Sequence, residues 1–446
     1  MPSIRLRAAL FAALLAVTAP ATAALTAPER RMIATIDAEQ GRTLAMLERW
    51  VNQNSGSHNL AGVEAVAAMI RAELESLGFA VTFIPLRQTG RAGHLVAHHP
   101  RQGTGRGKKL LLIGHLDTVF ELDSPFQKWV RKGDKATGPG AADDKGGGAV
   151  MIAALRAMQA AGTLRNADIT VFLTGDEEDS GTPLEVARRD LVAAGKAADV
   201  ALDFEGLAQD AGPDGKMRDM GSVARRGAAS WTVTVSATPG HSSGVFSKAA
   251  GFGAIYELAR VIEAFRTQLP DDKLTYNVGL VGGGQSAALD DGKIRLAASG
   301  KTNIIAATAV ARGDLRALTP AQFDRTVARM KAIVATPLPG AKTMISFDED
   351  AYPPMAPTPG NRALLARLNR INADLGLPQM AELDPLKRGA GDISFVGKDV
   401  DGLVGLGPAS SGDHTAAETV DIPSLFRQAK RAAILMSRLA AEAAGK

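Results

Sequence analysis

Two histidines and a series of carboxylates stand where short apolar stretches end, in a pattern that could bind metal. Gly114-His115-Leu116-Asp117 closes an apolar stretch that begins at Lys109. Thr174-Gly175-Asp176-Glu177-Glu178 closes another from Asp168, and Phe204-Glu205 a third from Val200. Between the first two lies the glycine-rich Gly138-Pro139-Gly140-Ala141-Ala142-Asp143-Asp144-Lys145-Gly146-Gly147, and Gly412-Asp413-His414-Thr415 follows near the end. In a His-x-Asp on a strand both side chains point to the same side. His115 can then ligate zinc while Asp117 holds its other ring nitrogen. In Glu177-Glu178 the two carboxylates diverge, so one can bind metal while its neighbour faces a water as general base. A carboxylate such as Asp143 can bridge two metals, and two metals about 3.5–4 Å apart suit hydrolysis because they share the developing negative charge.

Taken singly, each of these pieces also fits an ordinary surface or core pair. Their coincidence at five strand or loop ends, in one chain, favours chemistry. The glycine-rich Asp143 loop lacks the Gly-Lys-Ser/Thr ending of a phosphate-binding P-loop. The chain has no cysteine. That excludes disulfides, thiolate zinc sites and a cysteine nucleophile, and leaves His, Asp and Glu as the metal donors. A net charge of +4 without a long basic run argues against a nucleic-acid protein.

The elements that must position these residues follow from periodicity. The 446 residues, 46% of them hydrophobic, suffice for a large core and more than one domain. Residues 27–51 have helical spacing, and Asn59 caps a second helix running to Leu77 and stopped by Gly78. Strands over 79–84, 109–114, 168–174 and 200–204 alternate with a helix over 145–161. This implies an α/β layer with a mostly parallel sheet flanked by helices, where ligands bind at strand ends. After Arg226 the pattern becomes strand (230–237), helix (249–265), strand (276–281), a Gly282-Gly283-Gly284 turn, strand (306–315), helix (320–335) and strand (343–347). That βαββαβ order is the ferredoxin-like motif, inserted into the first domain. The proline-rich 351–359 segment returns the chain, and a final helix over 422–443 completes the first domain.

The ordered motifs GHLDTV, GPGAADDKGG, TGDEEDSG, DFEG, PGHSSG and GDHT resemble those of the co-catalytic zinc exopeptidases. That family includes bacterial glutamate carboxypeptidase, aminoacylase-1, acetylornithine deacetylase and succinyl-diaminopimelate desuccinylase. The resemblance covers nearly the whole chain beyond the N-terminal segment. It implies a zinc-exopeptidase-like catalytic domain over 24–226 and 353–446, and a lid and dimerisation domain over 227–352. It implies two Zn2+ per subunit, with Co2+ or Mn2+ as substitutes. His115 and Glu205 would hold one ion, Glu178 and His414 the other, and Asp143 would bridge, with a cis Asp143–Asp144 peptide. Asp203 offers a second carboxylate beside Glu205; Glu205 is preferred because it follows Phe204, as in the glutamate carboxypeptidases. Glu177 would be the general base and Asp117 the orienting carboxylate. Three lid residues also match: His241 as an oxyanion-stabilising residue that reaches the partner subunit's site, and Asn303 and Arg316 as substrate-binding residues. Lys387 and Arg388 add charge near the last ligand without an assigned role.

The N-terminus carries an address. Arg5 and Arg7, an apolar 8–19 stretch too short to span a bilayer, and Ala21-Thr22-Ala23 form a signal peptide over 1–23. The expectation is a periplasmic or secreted homodimer, without nucleic-acid partners and without membrane attachment after cleavage. Its activity is hydrolysis of small peptides or amides, most simply as a carboxypeptidase. The rivals are an N-acyl amino acid deacylase and, from another class, a non-catalytic binding protein that keeps the fold but loses ligands or base.

Overall fold

The computed structural model of the protein describes residues 25–103 and 105–443. The signal-peptide reading lies outside the described residues. In chain order the principal elements are α1 (Ala27–Ala38), α2 (Gln40–Val51), α3 (Leu60–Ser76), β1 (Ala80–Pro85), β2 (Gly93–His99) and β3 (Lys109–His115). There follow α4 (Lys145–Ala160), β4 (Asp168–Thr174), α5 (Leu184–Ala197), β5 (Val200–Asp203), β6 (Gly227–Ala237), α6 (Gly253–Gln268), β7 (Thr275–Gly284) and β8 (Thr308–Ala317). The chain closes with α7 (Pro320–Val334), β9 (Ala341–Phe347), α8 (Pro359–Asp374), β10 (Gly402–Val404) and α9 (Ile422–Ala441).

The larger sheet runs β1-β2-β4-β3-β5-β10. Strands β4, β3, β5 and β10 are parallel, and β1 and β2 join as antiparallel edge strands. Its middle is buried on both faces, as the unbroken apolar run of β3 requires. Leu110 and Leu112 pack with α4 and α9, whereas Leu111 and Ile113 pack with Leu191 of α5 and with Ile393 and Val396. Because side chains alternate across a strand, β3 serves both cores at once. The register pairs His115 with Thr174 and Ile113 with Asp203. The carboxyl ends of β3, β4 and β5 therefore lie side by side.

The second sheet, β7-β8-β6-β9, is wholly antiparallel and carries α6 and α7. Its strand order is the ferredoxin-like one. It has its own core around Trp231, Val233, Leu258, Phe265 and Met330.

Local differences from the sequence expectations have physical causes. The single helix expected over 27–51 is two helices broken at Glu39, whose carboxylate takes both prongs of Arg156 on α4, at 2.7 and 2.9 Å. The helix expected from 249 begins at Gly253, because Gly251 and Gly253 adopt φ of +69° and +76°. The Gly282–Gly284 turn is instead the end of β7. A Cβ on Gly283 would stand 2.7 Å from the Ile255 side chain and 2.9 Å from Ala309, so glycine lets α6 and β8 approach. Strand β2 and helix α5 are further elements that the periodicity does not predict. The histidines of β2 mask its strand pattern, yet His94 and His99 are buried against the carbonyls of Ala187 and Ala167, at 2.7 and 3.2 Å.

Candidate metal centre

His115, at the end of β3, is buried. Its Nδ1 faces the Asp117 carbonyl oxygen at 3.1 Å and the Asp117 Oδ1 at 3.5 Å. Its Nε2 lies 3.0 Å from Asp143 Oδ1 and 3.9 Å from Glu205 Oε1. On the other side, His414 Nε2 lies 3.2 Å from Asp143 Oδ2 and 3.1 Å from Glu178 Oε2. Asp143 thus offers one oxygen to each imidazole. The donor atoms of His115, Asp143 and Glu178 lie within 4.8 Å of one another, as do those of His115, Glu177 and Glu205.

The chain builds this arrangement from backbone donors. The Asp117 carboxylate accepts the amides of Glu177 and Glu178 at 3.0 and 3.1 Å and the Ser57 hydroxyl at 2.7 Å. Asp117 therefore fixes the β4 end as well as sitting beside His115. The Asp143–Asp144 peptide is cis. The Glu418 carboxylate accepts the amides of Ala142 and Asp143 at 3.0 and 3.3 Å, which aims the loop at the two histidines. Asp144 Oδ2 accepts the His115 amide at 3.2 Å. Lys145 of α4 is followed by three glycines, and a Cβ on Gly147 would stand 2.1 Å from both Asp144 Oδ1 and the Phe204 carbonyl. Glycine here lets the loop bearing Asp143 meet the strand end bearing Glu205.

Electrostatics favour a cation at this place. Burial, with the Glu205 charge beside it, pushes the Glu177 carboxyl well above the usual carboxylate range. Burial would lower the His115 pKa, but Asp117 and Asp143 outweigh it and raise it well above the ordinary value. Hydrogen bonds to Asp143 and Glu178 push His414 up to about 11. The carboxylates thus draw protons onto both imidazoles, and a metal ion held among the same atoms would displace them. Donors about 2.0–2.2 Å from a tetrahedral ion stand roughly 3.3–3.6 Å apart. The observed separations of 3.0 to 3.9 Å fit that requirement. The donors are imidazole and carboxylate, a set suited to zinc or manganese.

A cavity of about 490 Å³ opens beside Glu177 and Glu178, and Arg316, Asp350, Tyr352 and Gly389 line its other walls. It spans the two sheets' territories, since Arg316 is on β8. A larger cavity of about 610 Å³, lined by Ile33, Leu44, Phe426 and Lys430 among others, touches none of the candidate residues. His241 and Asn303 are exposed and adjacent. The short strands Gly240–His241 and Ile304–Ile305 pair, and the Ser242 amide donates to the Asn303 carbonyl at 3.0 Å. Neither residue lines the cavity beside Glu177. Lys387 is tied to Asp210, and Arg388 donates to the Gly206 carbonyl next to Glu205.

Around these donors stand supporting residues, of which the sequence pattern marks only Asp203. Arg225 is buried with Nη1 3.1 Å from Glu205 Oε2, and it donates to the carbonyls of Gly389 and Ala390 at 2.8 and 2.6 Å. Asp203 accepts the Glu205 amide at 3.2 Å, and burial with the Glu205 charge pushes it up to about 7. Glu418 follows His414 by four residues, a spacing that could have drawn attention to it. Arg188 and Asp392 form a buried ion pair at 2.9 Å behind the β4 end, and no short motif marks either.

Acids and histidines thus converge at the strand ends of this fold as a candidate metal centre. The chain belongs to peptidase family M20/M25/M40, whose profile matches residues 111–438. It is 31% identical to carboxypeptidase G2 of a Pseudomonas species over 297 residues, 64% of this chain and 62% of that relative. It is 29% identical to succinyl-diaminopimelate desuccinylase of Leptothrix cholodnii over 208 residues, 45% of this chain and 51% of that enzyme. The matched stretch thus spans less than two thirds of either relative's length. Among solved structures, aminopeptidase PepT of Bacillus cereus superposes with a TM-score of 0.70 at 18% identity, over 90% of this chain and 99% of that one. That likeness shows the fold.

Proposed function

We propose that the protein is a metal-dependent exopeptidase that releases a C-terminal amino acid from a small peptide or N-acyl amino acid. The observation that carries this reading is Arg316 in the wall of the cavity that Glu177 and Glu178 also line. A planar guanidinium is suited to a free carboxylate, so substrate would lie with its C-terminus at Arg316 and its scissile bond at the acidic end. His115 and Glu205 would hold one divalent ion and Glu178 and His414 a second, with Asp143 shared, and such ions would supply Lewis acidity at the carbonyl and make water more acidic. Zinc fits, with cobalt or manganese as substitutes. Glu177 takes the proton from the attacking water and delivers it to the leaving amine. Asp117 keeps the Glu177 backbone and the His115 ring in place. Glu205 is favoured over Asp203 as the donor, because Asp203 is turned to the Glu205 amide.

The resemblance to carboxypeptidase G2 supports the carboxypeptidase form, and that to the desuccinylases supports the deacylase form. Both release an amino acid by the same chemistry. The exposed apolar residues Phe246, Ile255, Tyr256 and Val281 lie on the lid around α6 and the edge strand β7. They support a homodimer, in which His241 would serve the other copy's site; a monomeric mass in sedimentation would refute it. The N-terminal pattern supports export to the periplasm or medium.

The test compares N-acyl amino acids with their C-terminal amides. Wild type should prefer the free acid by roughly 10²-fold or more, about 3 kcal/mol, as for a lost charged hydrogen bond. Arg316→Ala should lose most of that preference. Equal rates on acid and amide in wild type would overturn the assignment of Arg316.

A further inference from the structure

Two segments of chain connect the catalytic layer to the lid, and they pair with each other. Arg225 and Met355 exchange backbone hydrogen bonds at 3.0 and 2.9 Å, as do Ala228 and Tyr352 at 3.0 and 2.9 Å. This short ladder is the hinge across which the lid would move. Tyr352, on its returning segment, sends its side chain back toward the end of β4. Its hydroxyl lies 3.1 Å from the Glu177 carbonyl oxygen, 2.5 Å from Ser180 Oγ and 3.2 Å from Arg188 Nη2.

The protons at this oxygen can be counted. A phenol has one proton to give and two lone pairs to fill. Arg188 can only donate, so it fills one lone pair. The Glu177 carbonyl can only accept, so it takes the phenol proton. Ser180 must then donate to the second lone pair. Ser180 in turn accepts from Arg188 Nη2 at 3.2 Å. Arg188 Nη2 also donates to the Asp176 carbonyl at 2.9 Å, so its second proton is shared between Ser180 and Tyr352, and the phenol proton is left to the Glu177 carbonyl. Arg188 is itself immobilised, 2.6 Å from Asp176 Oδ1 and 2.9 Å from Asp392 Oδ1. The Tyr352 ring packs edge-on against Phe395 at 4.8 Å. The phenol is thus held at ring and oxygen alike, and its one free proton is spent on the residue that carries the base.

We infer that Tyr352 is a positioning residue for Glu177: through its hydroxyl the hinge of the lid holds the backbone of the general base, so that the base is in register only when the hinge is. The inference rests on the reading of Glu177 as the base. It assigns Tyr352 no contact with the reacting atoms. A carboxylate that must meet a water and then a leaving amine tolerates little displacement; a misplacement of about 1 Å can cost on the order of 10²-fold in rate.

The experiment uses the full mature chain loaded with zinc. Tyr352→Phe removes the hydroxyl and keeps the ring. Kinetics are measured on the fastest of a panel of N-acetyl amino acids. The variant should bind as much zinc as wild type, and kcat should fall roughly 10–100-fold, the range for a residue that orients a working one. KM should stay within about twofold, since the ring that lines the cavity is kept and the lost hydroxyl is engaged by Glu177, Ser180 and Arg188. Amide hydrogen exchange at residues 176–181 should quicken, with the core strand β3 unchanged. An unchanged kcat, a rise in KM alone, or loss of zinc would each overturn the inference. Should Tyr352→Phe fail to fold, Ser180→Ala serves instead; it must show the same fall in kcat at constant KM, to a smaller extent, and a rise in KM alone would overturn the inference there too. Glu177→Ala separates the two readings. If it keeps wild-type rate, Glu177 is not the base, whereas quickened exchange at 176–181 in Tyr352→Phe still reports the tether.

Discussion

Glu177 and Glu178 are neighbours in sequence with opposite surroundings. Glu178 reaches His414 at 3.1 Å. Glu177 faces the cavity and is pushed upward by burial and by Glu205. Both backbones hang on Asp117. Glu177→Ala should keep bound metal and lose at least about 10²-fold in kcat, the low end for a positioned acid–base group. Glu178→Ala should lose metal as well as activity. Metal analysis of the two purified variants checks this, and the reverse pattern would mean that the roles are exchanged. At this scale the sequence was informative wherever a donor closed an apolar run: His115, Glu178 and Glu205 all stand at the ends of strands that hydrophobicity marks. It was silent on Arg225 and Tyr352. Their partners are Glu205 and Glu177, distant in sequence, and an arginine or tyrosine in a linker looks like any solvated one.

At the scale of elements, α4 shows how backbone space sets the site. Gly147 and Gly148 are consecutive helix residues with opposite demands. A Cβ at 147 would collide with the Phe204 carbonyl, whereas one at 148 would meet Trp50 at 3.5 Å, an ordinary contact. Gly147→Ala should destabilise by about 1–3 kcal/mol, as overpacking does. Gly148→Ala should be neutral or stabilise by up to about 1 kcal/mol, the helix preference for alanine. Thermal unfolding of both variants distinguishes them, and equal shifts would refute the close approach at Gly147. Strand β3 was legible to within a residue, because a run buried on both faces has no polar interruption. Strand β2 was not, because its histidines are buried by pairing with carbonyls, which composition does not reveal. The Gly282–Gly284 segment misled for a related reason: glycine signals a turn, but here it serves packing of α6 against β7.

For the whole molecule, the two layers and the inserted antiparallel unit follow from the change of periodicity after Arg226. Hinge pairing and the cavity between the layers do not, since they depend on how the layers meet. Long-range ion pairs help to hold the catalytic layer. Asp219 accepts from Gln209 at 2.9 Å, from Arg427 at 3.1 Å and from Arg431 at 2.7 Å, tying the Met217–Gly221 strand to α9. Burial would raise its pKa, but Gln209 and the two arginines outweigh it and hold it below 3.8. A depressed carboxylate contributes stability above its unfolded pKa and loses it as pH falls through the folded one. Asp219→Asn should therefore cost roughly 1–3 kcal/mol near neutral pH, the value of hydrogen bonds to a charged group. The difference from wild type should narrow as pH falls below 3.8. Denaturant unfolding across that range checks it, and a constant difference would contradict the assignment.

Hydrolysis as proposed depends on metal bound by the cluster of His115, Asp143, Glu178, Glu205 and His414. Stripping the protein with a chelator and titrating zinc back, while following hydrolysis of an N-acyl amino acid and far-ultraviolet circular dichroism, tests this. The expected result is loss of activity on stripping with little change in secondary structure. Activity should then return as about two equivalents of zinc bind per chain, as a paired site requires. Full activity in protein shown to be free of metal would contradict it.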